Sequence, residues 1–292
     1  MEMRAAAIQL NSTADKGRNL VAAERLVREA AADGAELIAL PEKWNVLGDA
    51  EALHEGAEPL GGPTLTAAAS WARDLGIHLL AGSIPERVEG QPKLFNTSVL
   101  IGPDGELHAR YRKIHMFDVD VGGVSYRESE TEEPGEEIVA AVIGGSLPGV
   151  TLGMTVCYDL RFPELYRILA VRGATVLSVP SAFTFETGKD HWEVLLRARA
   201  IESQAFVIAP NQVGEAPPQY DSYGHSMLVD PWGTVLAVAP DGECFVAADL
   251  DLSEEDRVRS TLPSLANRRP GAYRWPEAPM WRSRAMREVT AR

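Results

Sequence analysis

The first half of the chain alternates between short apolar runs and longer amphipathic stretches. Apolar positions recur at helical spacing in NLVAAERLVREAAADGA and PTLTAAASWARDLG, so we predict a helix in each. The runs around them are short and apolar on both faces, as in buried strands. The predicted strands are RAAAIQL, ELIALPE, HLLAGSIPE, and the hairpin strands NTSVLIG and ELHARYRK, which the turn PDG joins.

The second half repeats this order of elements. It predicts, in turn, strand VTLGMTVC, helix PELYRILAVRG, strand ATVLSVPS, helix HWEVLLRARAIESQ, strand AFVIAPNQ and hairpin HSMLVDPWGTVLAVA. The two hairpins align without a gap, so that Ser98 matches Ser226 and Pro103 matches Pro231. Because such a hairpin pattern is common, the hairpin alone proves little. The shared order of the preceding elements favours an internal duplication.

Two βαβαββ halves predict an α/β protein in which two sheets pack face to face with helices on the outer faces. No linker divides the sequence, so we expect one domain over residues 1–292. Residues 263–292 are rich in Pro, Arg and Trp and are expected to form a C-terminal arm that packs on something, such as a partner subunit. Residues 118–137 and 211–223 are expected to be long irregular loops, which are often functional.

Composition and charge exclude several classes of function. The net charge of −14 argues against nucleic-acid binding, which needs a basic surface, although a few local arginines could still bind an anionic substrate. No apolar run reaches the roughly 18 residues of a membrane helix. The N-terminal sequence is too polar for a secretory signal, and two cysteines cannot form a disulfide framework. We therefore expect a cytoplasmic protein with no membrane or nucleic-acid partner.

Three polar residues follow predicted strands: Glu42, Lys113 and Cys157. A thiol between a strand and a helix N-terminus is well placed to be a thiolate, because backbone N–H groups and the helix dipole stabilise an anion there. The same N–H groups can bind an oxyanion. A lone cysteine is more often an inert core residue, and Cys244 fits that description.

A nucleophilic cysteine needs a base. The sequence offers two arrangements: a Cys–His pair with His191 or His225, or the carboxylate of Glu42 with Lys113 as electrophilic helper. The residues alone leave both open, since Glu42 and Lys113 could also be solvated surface charges. The sequence carries no H-E-x-x-H, C-x-x-C or G-x-S-x-G motif and no P-loop, so we expect no metal and no cofactor.

Three segments together resemble the nitrilase superfamily of carbon–nitrogen hydrolases. They are LPEKW with Glu42, YRKIHMFD with Lys113 and CYDLRFPELYR with Cys157. The resemblance extends from AAIQLNS to RRPGAY and implies a four-layer αββα sandwich, in agreement with the duplication. It implies a further site glutamate, Glu128, in SYRESET. The segment before Glu128 is one residue shorter than the family pattern and lacks its usual proline.

The resemblance also implies a mechanism. Glu42 takes the thiol proton, Cys157 attacks an amide carbonyl, and Lys113 with the backbone N–H of Tyr158 stabilises the oxyanion. Departure of ammonia produces a thioester on Cys157, which water then hydrolyses. Glu128 orients Lys113. The pocket candidates are Arg161, Phe183, Thr187 and His191.

The segments PSAFTFETGKDHWEVLLRARAIESQ and YGHSMLVDPWGTV resemble the branch that includes deaminated-glutathione amidase, and they also resemble omega-amidase. We therefore expect a small amide substrate that bears a carboxylate, and a homodimer or larger assembly. The alternatives are an omega-amidase acting on 2-oxoglutaramate, a nitrilase, an N-carbamoyl amino acid amidohydrolase, or a catalytically silent binding or scaffold protein.

Overall fold

Two sheets carry most of the strands in the structure, a computed structural model that describes residues 2–144, 147, 149–216 and 220–273. The strands are β1 (Glu2–Gln9), β2 (Leu37–Ala39), β3 (His78–Leu80), β4 (Ile84–Glu86), β5 (Phe95–Ile101), β6 (Leu107–Arg112), β7 (Asp118–Val121), β8 (Val124–Arg127), β9 (Ala140–Ile143), β10 (Val150–Met154), β11 (Val176–Ser178), β12 (Phe206–Ala209), β13 (Val213–Ala216), β14 (Tyr220–Tyr223), β15 (Met227–Val229), β16 (Val235–Val238) and β17 (Cys244–Asp251).

The helices lie between these strands, and sequence signals mark several of their ends. They are α1 (Lys16–Ala32), α2 (Ala50–Gly56), α3 (Pro63–Leu75), α4 (Glu128–Thr131), α5 (Pro163–Val171), α6 (Phe185–Ser203) and α7 (Ser253–Thr261). The Asp15 side chain caps α1 by accepting a hydrogen bond from the backbone of Arg18. Proline occupies the first position of α3 and of α5, where its missing N–H costs nothing.

The two sheets share one strand order. In the first, β1, β2 and β3 are parallel and β3 pairs antiparallel with β5, which pairs with β6. In the second, β10, β11 and β12 are parallel and β12 pairs antiparallel with β15, which pairs with β16. An extra antiparallel strand extends each sheet beyond its first parallel strand, β17 beside β1 and β9 beside β10. The predicted duplication is confirmed in this topology.

Successive residues of β1 show how the four layers form. Ala5 and Ala7 belong to the apolar cluster shared with the second sheet, whereas Ala6 and Ile8 belong to the cluster beneath α1 and α3. Successive side chains of a strand point to opposite faces, so the first sheet is covered on both sides. Leu165 of α5 and Leu196 of α6 cover the outer face of the second sheet. The predicted αββα sandwich is therefore confirmed.

Some local predictions were wrong. HLLAGSIPE is not one strand but two, β3 and β4, because the chain turns at Gly82. Its φ is +43°, and a Cβ there would lie 2.0 Å from the Pro41 carbonyl oxygen, so only glycine fits. Residues 118–137 contain the hairpin β7–β8 and the helix α4, and residues 211–223 contain the hairpin β13–β14, so neither segment is irregular.

The end of the chain is described as far as Tyr273. The expected C-terminal arm, residues 263–292, is described as far as residue 273 and contains a short 3-10 turn, Pro270–Ala272; residues 274–292 lie outside the described residues. Within the described residues, no helix is long and apolar enough to span a membrane.

Candidate active site

A cavity of about 210 Å³ lies where loops of both halves meet. The residues around it include most of those that the sequence singled out. These are Glu42, Lys113, Glu128, Cys157, Tyr158, Arg161, Phe183 and Thr187. His191 is not among the lining residues; it is exposed on α6 and contacts a guanidinium nitrogen of Arg161 through Nδ1 at 3.2 Å.

Cys157 stands at a strained turn three residues beyond β10. Its φ is +48°, in the left-handed region that a side chain disfavours, and it begins a 3-10 turn that runs to Arg161. Its backbone N–H donates to the Pro180 carbonyl oxygen at 2.9 Å. The turn presents the thiol at the cavity, where 7% of the residue is exposed.

The carboxylate of Asp159, which is fully buried, holds this turn in place. One of its oxygens accepts hydrogen bonds from the Val156 N–H at 2.9 Å and the Tyr111 hydroxyl at 2.6 Å. The other accepts from the His115 N–H at 3.2 Å and lies 2.7 Å from His115 Nδ1. Tyr111 is on β6 and His115 lies two residues after Lys113, so Asp159 ties the cysteine turn to the segment that carries the lysine.

Glu42 lies three residues beyond β2 and is almost fully buried. Its Oε1 accepts hydrogen bonds from Asn96 Nδ2 at 2.8 Å and from Lys113 Nζ at 3.0 Å. Its Oε2 accepts one from the backbone N–H of Ala182 at 2.8 Å. A side-chain hydrogen bond also joins Glu42 to Cys157, which places this carboxylate next to the thiol.

Lys113 follows β6 directly and lies between two carboxylates. Besides Glu42, it donates to both oxygens of Glu128, at 2.8 and 2.7 Å. Burial alone would lower the pKa of Lys113, but the carboxylates of Glu128 and Glu42 outweigh burial and raise it well above the usual value. Burial favours a higher pKa for Glu128, yet Lys113 and Lys43 hold it well below its usual range. Both groups are therefore charged.

The thiol of Cys157 is not the preformed thiolate that the sequence suggested. Burial and the nearby Glu42 carboxylate raise its pKa well above the usual value, although Lys113 acts in the opposite direction. The helix dipole does not compensate, because the turn after Cys157 separates it from the start of α5. The thiol keeps its proton until a base removes it, and Glu42 is hydrogen bonded to it.

Neither histidine of the alternative Cys–His pair lies in this cavity. His191 is exposed, as described above. Nδ1 of His225 lies 3.0 Å from the carbonyl oxygen of Tyr223, and its ring stacks on the Tyr223 ring at 4.4 Å. No histidine is among the described residues that line the cavity, so the geometry favours Glu42 over a histidine as the base.

Comparison with known proteins agrees with this geometry. The family model described as carbon-nitrogen hydrolase matches residues 4–260. The chain belongs to the carbon–nitrogen hydrolase family. It is therefore an enzyme that hydrolyses non-peptide carbon–nitrogen bonds.

Relatives of this carbon–nitrogen hydrolase cover nearly its whole length. The deaminated glutathione amidase of Synechocystis sp. (strain PCC 6803 / GT-S) is 42% identical over 266 residues, which are 90% of this chain and 97% of that protein. Omega-amidase NIT2 of Homo sapiens is 39% identical over 271 residues, which are 92% and 96% of the two chains.

Solved structures match the fold. The NitFhit protein of C. elegans superposes with a TM-score of 0.85 at 35% identity, over 94% of this chain and 66% of that chain. Nit3 of Saccharomyces cerevisiae, titled a member of branch 10 of the nitrilase superfamily, gives a TM-score of 0.80 at 32% identity over 90% and 94% of the two chains.

Several residues of this carbon–nitrogen hydrolase site carry little functional signal in the sequence. In the sequence Asp159 is only a polar neighbour of Cys157, and Asn96 opens a predicted strand with nothing else to mark it. Lys43 and Glu132 also line the cavity, and both are buried. Lys43 is adjacent to Glu42 in LPEKW, which was a usable signal, whereas Glu132 lies in the acidic run ESETEEPGEE, which looks like a solvated loop.

The second cysteine, Cys244, is not the buried core residue that the sequence suggested: it lies on β17, opposite Gln9, and is half-buried. Both cysteines are free. Among the residues that the structure describes, no cluster of three or more His, Cys, Asp or Glu side chains is arranged to hold a metal ion.

Proposed function

We propose that this carbon–nitrogen hydrolase is an amidase for small amides that carry a carboxylate, with a substrate similar to deaminated glutathione. The observation that carries this proposal is a cation in the cavity wall with no acidic partner. Arg161 lies four residues after Cys157, lines the same cavity and makes no ion pair with a carboxylate among the described residues.

The environment of Arg161 suits a bound anion. Its guanidinium lies 5.1 Å from the centroid of the Phe183 ring and 6.0 Å from that of Tyr158, and burial lowers its pKa. A partly buried guanidinium without a counter-charge is costly, and a substrate carboxylate would form the bidentate pair that arginine prefers. In a protein of net charge −14, such a local cation is needed to attract an anion.

The chemistry assigned to the site uses four side chains. Glu42 accepts the thiol proton as the Cys157 sulfur attacks the amide carbonyl. Lys113 and the backbone N–H of Tyr158 stabilise the oxyanion, and Glu42 returns the proton to the leaving ammonia. Water, activated by Glu42, then attacks the thioester and releases the carboxylic acid and the thiol. Glu128 keeps Lys113 charged and in place.

The names of the relatives support an amide as substrate. Two proteins about 40% identical to this chain are called deaminated glutathione amidase and omega-amidase NIT2. The second name supports the alternative given in the sequence analysis, an omega-amidase acting on 2-oxoglutaramate. Since the two identities are close, the choice between these substrates needs an experiment.

The test is a comparison of kcat/KM for ammonia release from deaminated glutathione, 2-oxoglutaramate, a neutral amide of similar size, a nitrile and an N-carbamoyl amino acid. We expect a carboxylate-bearing amide to be preferred, with affinity that falls as salt rises. Arg161→Met should remove that preference, by about tenfold or more for a charge-assisted contact. Arg25→Met changes the net charge equally on an exposed helix face and serves as the control.

The opposite pattern would refute the substrate class. If kcat/KM for a neutral amide or a nitrile is about tenfold higher than for the carboxylate-bearing amides and does not depend on salt, the proposed substrate class is wrong. The assignment to the carbon–nitrogen hydrolase family would still hold. The alternative given in the sequence analysis, a catalytically silent protein, is tested separately by the reaction of the thiols with iodoacetamide. Rapid alkylation of one thiol, slowed by substrate, indicates an enzyme.

We also propose that the protein is a homodimer or a larger assembly. Val171 of α5 and Val194 of α6 are 55% and 66% exposed, and Ile168 and Ile201 on the same two helices are also exposed. These helices pack together on the outer face of the second sheet, and a second copy would cover their apolar residues. Sedimentation of the wild type and of Val194→Arg tests this, since a fully active monomer at micromolar concentration would contradict it.

A reducing cytoplasm is the compartment that we propose. The reaction needs Cys157 as a free thiol, and both cysteines of the described structure are free.

A further inference from the structure

A second buried lysine–glutamate pair lies in the cavity wall beside the groups assigned to catalysis. Nζ of Lys43 lies 2.7 Å from Oε1 of Glu132 and 3.3 Å from Oε1 of Glu128. Lys43 therefore bridges the carboxylates of Glu132 and Glu128. Since Lys113 also donates to Glu128, the groups form a chain that runs from Glu132 through Lys43 and Glu128 to Lys113.

Glu132 is unusual among the buried acids. It is 0% exposed, and apart from the contact with Lys43 neither oxygen has a hydrogen-bond donor among the described residues. Glu86, by comparison, accepts hydrogen bonds from the Thr97 hydroxyl and the Arg112 guanidinium. A buried carboxylate with so few donors is costly unless it carries a proton. A protonated Glu132 accepts from Lys43 and itself donates to Glu128.

The backbone of Lys43 is strained at the same place. Its φ is +51°, and its N–H donates to the Ser83 hydroxyl at 3.1 Å. The residue is only 3% exposed, yet its side chain lines the cavity. Strained backbone and a buried charge next to reactive groups are typical of functional positions.

We propose that Lys43 and Glu132 are a positioning pair that holds the Glu128 carboxylate against Lys113 while the reaction proceeds. This inference rests on the proposed function, because it assigns the pair to the same site. The pair touches Glu128 rather than the reacting atoms. Its effect on catalysis therefore passes through the placement and the charge of Lys113.

The charges of the cluster favour a neutral Glu132. Two ammonium groups, Lys43 and Lys113, then face two carboxylates, Glu42 and Glu128, and the buried cluster is balanced. Burial and the neighbouring Glu128 raise the pKa of Glu132 to about 8, although Lys43 and Lys113 act in the opposite direction. These three are the charged groups that face it. Loss of its proton places two carboxylates side by side and weakens the hold on Glu128.

The pair is tested by the pH dependence of kcat for the wild type, Glu132→Gln, Glu132→Ala and Lys43→Met. Glutamine can accept from Lys43 and donate to Glu128. We expect the kcat of the wild type to decline near pH 8, and Glu132→Gln should keep activity at pH 7 and lose that decline. Glu132→Ala and Lys43→Met should lower kcat about tenfold or more, with a smaller change in KM.

Glu255→Gln is the matched control. Burial also raises the pKa of Glu255, to about 7, but this acid pairs with Arg259 on α7 and does not line the cavity. Its removal should leave the pH profile of kcat unchanged. Circular dichroism establishes that each variant is folded.

Two results overturn the proposal. One is a Glu132→Gln enzyme as impaired as Glu132→Ala that retains the wild-type decline at high pH. The other is full activity with an unchanged pH profile in both Glu132→Ala and Lys43→Met.

A second readout does not depend on turnover. An ionised Glu132 adds a negative charge near Cys157, so iodoacetamide alkylation should rise less between pH 7 and pH 9 in the wild type than in Glu132→Gln. If the wild type hydrolyses no amide, the proposed function fails, and this alkylation comparison still decides the role of the pair. Identical alkylation profiles would count against it.

Discussion

The two halves of the molecule repeat one turn but place different groups on it. In the first half the chain continues from β2 through Leu40 and Pro41 into the turn. In the second half it continues from β11 through Val179 and Pro180 into the equivalent turn. The residue before each proline makes the same contact, since Leu40 donates to a carbonyl of β3 at 2.9 Å and Val179 to one of β12 at 2.9 Å. The backbone frame was duplicated faithfully.

The side chains that follow these prolines are not equivalent. The first half places Glu42 there, and the second half places Ser181, whose hydroxyl donates to its own turn at the Val179 carbonyl. Four buried charged groups that line the cavity, and Glu128 with a side chain only 9% exposed, belong to the first half; the four are Glu42, Lys43, Lys113 and Glu132. The second half supplies the Cys157 thiol and the Ala182 N–H that binds Glu42. The first half therefore carries the charges around Lys113, and the second half carries the nucleophile and the cation Arg161.

Removal of the nucleophile should have the largest effect on turnover. It would show that no group of the first half can substitute for the thiol that the second half supplies. Cys157→Ala should abolish turnover and leave folding intact, because only the sulfur is lost. Cys244→Ala, on half-buried β17, should keep activity and lower the free energy of unfolding by at most about 1 kcal/mol. Ammonia release and circular dichroism measure both. An essential Cys244 would contradict the whole assignment.

Changes to the charged groups of the first half should come next. Glu42→Gln and Lys113→Met should each lower kcat by at least about two orders of magnitude, as for the loss of a base or of an oxyanion donor. His191→Ala should cost less, since that residue lies outside the cavity. A dead His191 variant beside an active Glu42→Gln enzyme would restore the Cys–His alternative.

Asp159 joins the two halves, so its substitution tests the connection itself. In Asp159→Asn an amide nitrogen replaces one of the two carboxylate oxygens. Either the N–H of Val156 or the N–H of His115 then loses its hydrogen-bond acceptor. We expect kcat to fall about tenfold, since the thiol shifts relative to Lys113, and the free energy of unfolding to fall by about 1–3 kcal/mol. Asp33→Asn, at an exposed contact with Arg4, is the control. Unchanged alkylation of Cys157 in Asp159→Asn would refute this role.

The smallest effect concerns stability and pH. The pKa of Glu132 is raised from 4.5 to about 8 on folding, so the folded state binds its proton more tightly. Its contribution is complete below the unfolded pKa and is lost as pH rises toward 8. Glu132→Gln should therefore reduce the fall in Tm between pH 5 and pH 8, by about 2–4 °C if ~1 kcal/mol is involved. A Tm curve parallel to that of the wild type would show that Glu132 is ionised throughout.

The sequence by itself determined the layers of the fold and three of the groups that line the cavity. Apolar periodicity reports burial directly, so strands such as β1 and helices such as α1 could be predicted, and their repeated order revealed the duplication. Glu42, Lys113 and Cys157 could be singled out because each follows an apolar strand, where side chains reach the sheet edge. Glu128 came from family resemblance alone.

Tertiary structure alone decided which polar residues are buried together. Glu132 and Asp159 look like ordinary loop acids, because a sequence does not show which charges another segment will enclose. Their burial arises when the segment after the hairpin β7–β8, the cysteine turn and the β2 exit meet, through contacts such as that of Lys43 with Glu128, 85 positions away. Electrostatic interactions depend on these distances and on excluded water, so the raised pKa of the Cys157 thiol followed only from the packed structure.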